Sequence, residues 1–169
     1  MKKLVLYHHG KDSIPWGEKT FAIAEVSKQQ GYDFDSVDYT DSNDPDLRVK
    51  KLVENNLSRY DKLVFVGSSM GGYVSTVAAE IFKPQALFLI APAFYLPGYP
   101  QTAFTPPENT WVMHGWQDTV VPPENSWKFC QQYRATLKMF DSDHRLISVL
   151  PSLKHEFEQL LLHLNETST

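Results

Sequence analysis

A single cysteine, Cys130, is all the sequence holds. No disulfide can close within such a chain, which fits a reducing compartment and a cytoplasmic location. No apolar run approaches the length that a bilayer demands, so no membrane insertion is expected. The opening Met1-Lys2-Lys3-Leu4-Val5-Leu6-Tyr7-His8-His9 has the charge and the first apolar residues of a signal peptide. Its apolar part is short, histidines interrupt it and no small-residue cleavage site follows, so a first strand from Leu4 is the better reading. Lysine and arginine form no block: charges of both signs are mixed along the chain and sum to −4. That excludes the basic footprint of a nucleic-acid or anionic-membrane partner. There is no internal repeat and no interdomain linker, and 169 residues suffice for one well-filled core. Residues 1–169 therefore read as a single domain of ordinary composition, 42% hydrophobic and 21% charged.

Short strand-like runs alternate with helical patterns along the chain. The strands are expected at Leu4–His8, Phe34–Tyr39, Lys62–Val66, Ala86–Ile90, Thr110–His114 and Thr136–Phe140. Helices are expected near Trp16–Gln30, Asp46–Asn56, Gly72–Phe82 and Pro123–Tyr133. Asp44-Pro45 supplies the second of these with an N-cap residue and a proline at the first helical position. A last helix carries Val149, Leu150, Leu153, Phe157, Leu160, Leu161 and Leu164 at helical spacing, with Pro151 in its first turn or at a kink. Near-continuous apolar strands alternating with helices imply an α/β protein, a three-layer α/β/α sandwich around a mostly parallel sheet of five or six strands. Right-handed crossovers then bring the loops after the strands to one edge of the sheet. Residues 92–107 stand apart. This segment is rich in proline and carries Phe94, Tyr95, Tyr99 and Phe104, and it reads as a rigid aromatic flap over that edge.

The most specific local pattern is Gly67-Ser68-Ser69-Met70-Gly71, followed by Gly72. It lies between the apolar run Leu63–Val66 and a helical series Val74, Val77, Ala78 and Ile81. A strand passing through a glycine-flanked serine straight into a helix is the setting of a nucleophile elbow. The turn is so tight that a Cβ at Gly67 or Gly71 would crowd the backbone beside it. The helix N-terminus aims free N–H groups at negative charge forming near Ser69. A dinucleotide fingerprint needs glycines at relative positions one, three and six, whereas these fall at one, five and six.

A serine hydroxyl needs an adjacent base to accept its proton, and the base needs an acid to set its tautomer. The loop after the fifth strand is His114-Gly115-Trp116-Gln117-Asp118-Thr119-Val120-Val121-Pro122, and the loop after the sixth is Asp141-Ser142-Asp143-His144-Arg145. The chain order Ser69, Asp118, His144 is that of α/β-hydrolases, and each residue follows a strand end. Asp143 is a rival acid, but an immediate neighbour of the histidine rarely reaches its far ring nitrogen. His155 and His163 fall on the last helix, and His114 reads as a residue that orders the acid loop. His8, His9 and Asp12 lack a recognised ligand spacing, so no metal is expected. Cys130, near Trp127 in a helical pattern, reads as a small buried hydrophobe.

With these motifs in place the chain resembles a small serine hydrolase of the α/β-hydrolase superfamily, most closely the compact bacterial esterases of the YqiA type. The resemblance runs from His9-Gly10 through Gly67–Gly71 and His114–Pro122 to His144. The acid loop is also similar to that of dienelactone-hydrolase-like proteins, which carry cysteine in place of Ser69. The resemblance implies a minimal sheet with little room for a cap domain. It further implies an oxyanion hole from the backbone N–H groups of Met70 and Lys11, and no cofactor. The expected activity is cleavage of a small or medium carboxylic ester, a small-molecule substrate, through an acyl-enzyme on Ser69. A thioester is the alternative within the enzyme class, and a catalytically silent binding protein is the alternative outside it. Phe94, Tyr95 and Tyr99 are the expected substrate wall.

Overall fold

A computed structural model describes residues 1–168. The elements run β1 (Lys3–His8), α1 (Glu18–Gln29), β2 (Asp33–Val37), α2 (Pro45–Val53), β3 (Lys62–Ser68), α3 (Met70–Phe82), β4 (Ala86–Ile90), β5 (Asn109–Gly115), α4 (Pro123–Tyr133), β6 (Thr136–Phe140) and α5 (Leu150–Thr167). The six strands form one sheet in the order β2-β1-β3-β4-β5-β6, and every neighbouring pair is parallel.

Alternation along the strands sends side chains to two cores. Val5, Tyr7, Val64, Val66, Phe88, Ile90 and Met113 pack with Ile23 and Val26 of α1 and with Leu153, Phe157, Leu160, Leu161 and Leu164 of α5. Leu4, Leu6, Phe65, Leu87, Leu89 and Val112 face the opposite way, toward Leu52 of α2, Tyr73, Val74 and Ala78 of α3, and Phe129 and Cys130 of α4. These are the three layers that the strand–helix alternation implies. Phe88 meets Phe157 edge to face, with ring centroids 5.1 Å apart. Cys130 is buried in the second core, as a small hydrophobe would be. Among the described residues no helix is long and apolar enough to cross a membrane.

Local signals account for the element ends. Asp44 caps α2 by accepting from the N–H groups of Asp46 at 2.9 Å and Leu47 at 3.2 Å, with Pro45 at the first helical position. Pro151 sits in the first turn of α5, where its missing N–H costs nothing, so the helix needs no kink. The strand order reverses direction between β1 and β3, so the loops after these two strands diverge. A crevice opens there at the C-terminal edge, the switch point at which open α/β sheets bind ligands.

The segment 92–107 lacks regular structure but is strapped to the α3–α4 face. Phe94 is fully buried and stacks on Phe129 with centroids 4.3 Å apart, and Phe104 packs against both. The Phe104 N–H donates to the Tyr133 hydroxyl at 2.8 Å, and the Gln101 N–H donates to the Tyr73 hydroxyl at 3.0 Å. Phe94 is a core residue, and Phe94→Ala is predicted to destabilise the fold by about 3–5 kcal/mol, read as a lowered urea midpoint. A midpoint unchanged from that of the native protein would contradict this placement.

Candidate active site

Ser69 joins β3 to α3 with φ 54° and ψ −114°, a positive-φ conformation that a serine adopts only under strain. The surroundings hold it there. Its N–H donates to the Ile90 carbonyl at the end of β4 at 2.9 Å, and its own carbonyl accepts from Ala93 at 3.0 Å. A Cβ on Gly67 would collide with the Gly71 backbone, and one on Gly71 would collide with the His8 carbonyl at the end of β1. The two glycines thus let β1, β3 and α3 meet at one point, directly beneath the serine.

Two later loops converge on it. His144 Nε2 lies 3.1 Å from Ser69 Oγ, and His144 Nδ1 lies 2.7 Å from Asp118 Oδ2. The ionised carboxylate can only accept, so Nδ1 carries the proton and Nε2 is left free to accept from the serine. Asp118 is buried. Its Oδ1 accepts the N–H groups of Val120 and Val121, each at 2.8 Å, and its Oδ2 also lies 2.9 Å from His114 Nε2. His114 is fixed in turn by Ser126 Oγ at 2.6 Å and the Val121 carbonyl at 3.0 Å. It orders the acid loop, as its position at a strand end implied. Asp143 accepts the Arg145 N–H at 3.1 Å and has no bond to His144, whose Nδ1 is paired with Asp118 instead. His155 and His163 are exposed on α5.

The loop after β1 forms the other wall. A Cβ on Gly10 would lie 3.6 Å from the Ser69 Cβ, so this loop passes close over the serine. Its orientation depends on a residue that sequence reasoning missed, Arg48 of α2, which is 1% exposed. The guanidinium donates to the carbonyls of His9 at 2.8 Å, Gly10 at 3.3 Å and Ser42 at 2.8 Å. His9 Nδ1 donates to the same Gly10 carbonyl at 2.9 Å, while its Nε2 accepts the Tyr39 N–H at 2.9 Å. A trans peptide points its N–H opposite to its C=O. With the Gly10 carbonyl held toward Arg48, the Lys11 N–H is turned away from it, and Lys11 lines a cleft shared with Ser69. Met70 is the first residue of α3, and its N–H has no acceptor within the helix. Among the described residues no group of three or more metal-ligating side chains is placed to hold an ion.

The cleft has a volume of about 370 Å³ and is bounded by Tyr7, the Gly10–Ile14 loop, the start of α1, Ser68, Ser69 and the His144–Ile147 turn. The expected aromatic wall is not there. Phe94 and Tyr95 belong to the α3–α4 core, and Tyr99 packs on Tyr73 beside Asp44 and Pro45. Two packed cores of a small sheet need cover, and the aromatic flap is consumed in supplying it.

This fold recurs in solved structures. The chain is similar to a protein assigned to the α/β-hydrolase superfamily from Xanthomonas campestris pv. campestris, with TM-score 0.85 and 26% identity over 96% of this chain and 99% of the other. It is also similar in fold to XC6422 of Xanthomonas campestris, described as a serine hydrolase without a lid (TM-score 0.77, 21% identity, 96% and 82% covered). Est1E of Butyrivibrio proteoclasticus, solved with ferulic acid bound, shares the fold at TM-score 0.77 and 17% identity, with 95% and 88% covered. The architecture is therefore a minimal α/β-hydrolase fold. Within it, the uncharacterised protein family UPF0227 matches residues 4–105, and the chain belongs to that family, in keeping with its YqiA-type resemblance. No curated protein matches the chain.

Burial alone would push the Asp118 carboxyl up, but the hydrogen bonds from His114, His144 and Val121 outweigh it and hold the group well below the usual carboxylate range. A folded-state value below the unfolded value of about 3.9 means that the stability these bonds add is present at neutral pH. It is lost as the pH falls below about 4 toward the folded value. Asp118→Asn, which has no carboxyl to protonate, is predicted to show a shallower fall in urea midpoint between about pH 5 and pH 2 than the native protein. Parallel profiles would contradict the depressed value.

Proposed function

We propose that the protein is a serine hydrolase that cleaves small carboxylic esters through an acyl-enzyme on Ser69. The observation that carries this reading is the unbroken line Ser69 Oγ–His144 Nε2 at 3.1 Å and His144 Nδ1–Asp118 Oδ2 at 2.7 Å, built on a strained elbow. In the first half-reaction Ser69 Oγ attacks the ester carbonyl while His144 Nε2 takes its proton. The tetrahedral oxyanion is received by the backbone N–H groups of Met70 and Lys11. Losing one such donor typically costs roughly 10²–10³ in kcat. His144 then returns the proton to the departing alkoxide. In the second half-reaction it takes a proton from water, which attacks the acyl carbon, and Ser69 leaves with that proton. Asp118 stays ionised throughout and stabilises the transient imidazolium.

An ester suits this site better than an amide, because an alkoxide leaves more readily than an amine and no peptide-binding insert surrounds the cleft. With 4-nitrophenyl acetate as substrate, Ser69→Ala and His144→Ala are each predicted to lower kcat by about 10⁴-fold or more, with circular dichroism unchanged. Asp118→Asn is predicted to lower kcat by about 10²–10⁴ with KM largely spared, since it disturbs the histidine's tautomer more than binding. Turnover that survives Ser69→Ala would refute the assignment.

A further inference from the structure

The lining of the Ser69 cleft is unusual for an ester site. Ile14 and Ile147 are its only aliphatic residues, and the rest is hydroxyl, backbone and charge. The buried Tyr7 lines the cleft together with Thr20 and Ser68. The ammonium of Lys19 also lines it, donating to Ser68 Oγ at 3.0 Å. An ammonium has three N–H donors, and a neutral hydroxyl satisfies one of them without compensating the charge. Among the described residues no carboxylate lies within ion-pair distance of Lys19.

Lys19 occupies the first turn of α1, where the helix dipole disfavours a cation, so its place does not serve the helix. A second cation, Arg145, lines the same cleft directly after His144. Burial first, and then the charge of Arg145, push the Lys19 ammonium down to about 8, with Asp143 opposing. The acidic residues nearby do not fill the gap. Asp12 accepts the Asn43 side-chain amide at 2.6 Å, Asp143 accepts the Arg145 N–H, and Glu18 is exposed on the rim.

Resting on the serine hydrolase reading, we infer that the ester this cleft takes bears a negatively charged oxygen group, a carboxylate or a phosphate-like group, held between Lys19 and Arg145 while its ester carbonyl lies at Ser69. Such a group would give the Lys19 ammonium the acceptors it lacks and relieve the repulsion between the two cations. A cleft of about 370 Å³ with so little apolar lining fits a short, charged acyl part and not a long alkyl chain.

The test compares monoethyl succinate and monoethyl glutarate with ethyl butyrate and ethyl valerate by pH-stat. The native protein is expected to favour the half-esters by about tenfold or more in kcat/KM, the worth of one charge-assisted hydrogen bond. That ratio is expected to fall toward unity in Lys19→Met and to be restored in Lys19→Arg. Ethyl 4-phosphonobutanoate distinguishes the anion: a preference for it over the glutarate ester assigns a phosphate-like group, and the reverse assigns a carboxylate. Binding is read separately by calorimetry, titrating monoethyl glutarate into Ser69→Ala with and without Lys19→Met. Binding weakened about tenfold or more by the second substitution supports the anion site even if no ester is turned over, in which case the hydrolase reading alone fails. Neutral esters hydrolysed as well as charged ones, a ratio that survives Lys19→Met, or binding absent or indifferent to Lys19, would overturn the anion site and leave the hydrolase reading standing.

Discussion

The backbone of α3 touches the end of β1 at Gly71, and nearly everything else in the cleft depends on that contact. A side chain there would drive into the His8 carbonyl and force helix and strand apart. With hydrogen in its place, three chain segments share one point: β1 leaving toward Gly10, β3 arriving through Gly67, and α3 departing. The strained φ of Ser69 follows, because a chain leaving β3 at this depth must reverse within one residue to enter α3. Hydrogen bonds to the Ile90 carbonyl and from the Ala93 N–H, at the neighbouring strand's exit, offset a strain of roughly 1–3 kcal/mol. The same contact carries the β1 loop over the serine, where Arg48 sets the direction of its peptides.

A second constraint is electrostatic. Asp118 is a buried carboxylate, and burial by itself would neutralise it. Four donors prevent this: two backbone N–H groups on one oxygen, and His114 and His144 on the other. The charge thus kept in place orients His144. Arg48 is the counterpart on the opposite wall, a buried cation held by carbonyl oxygens instead of a carboxylate. Each buried charge fixes one loop, and the two loops flank the serine from either side of the sheet's switch point.

Much of this was legible in the chain because it is written in local or ordered signals. The strands are short apolar runs, the elbow is a pentapeptide between strand and helix, and Ser69, Asp118 and His144 each follow a strand end in a recognised order. Proline at the start of α2 and in the first turn of α5 marked those helices. Residues whose role depends on tertiary direction were not legible. Phe94, Tyr95 and Tyr99 sit in an irregular, proline-rich segment whose sequence says nothing of whether it faces the cleft or a neighbouring helix. Packing against Phe129, Phe104 and Tyr73, respectively, took them. Arg48 and Lys19 look like ordinary surface cations of amphipathic helices. Only the fold brings one under the Gly10 loop and the other onto Ser68.

The central claim is that Ser69 is a nucleophile activated by His144, and covalent trapping tests it most directly. The protein would be treated with a fluorophosphonate, weighed intact and then mapped by peptide mass spectrometry. One adduct per chain is predicted, located on Ser69, forming rapidly in the native protein and lost in His144→Ala. No adduct, or an adduct on another residue with Ser69 unmodified, would contradict it.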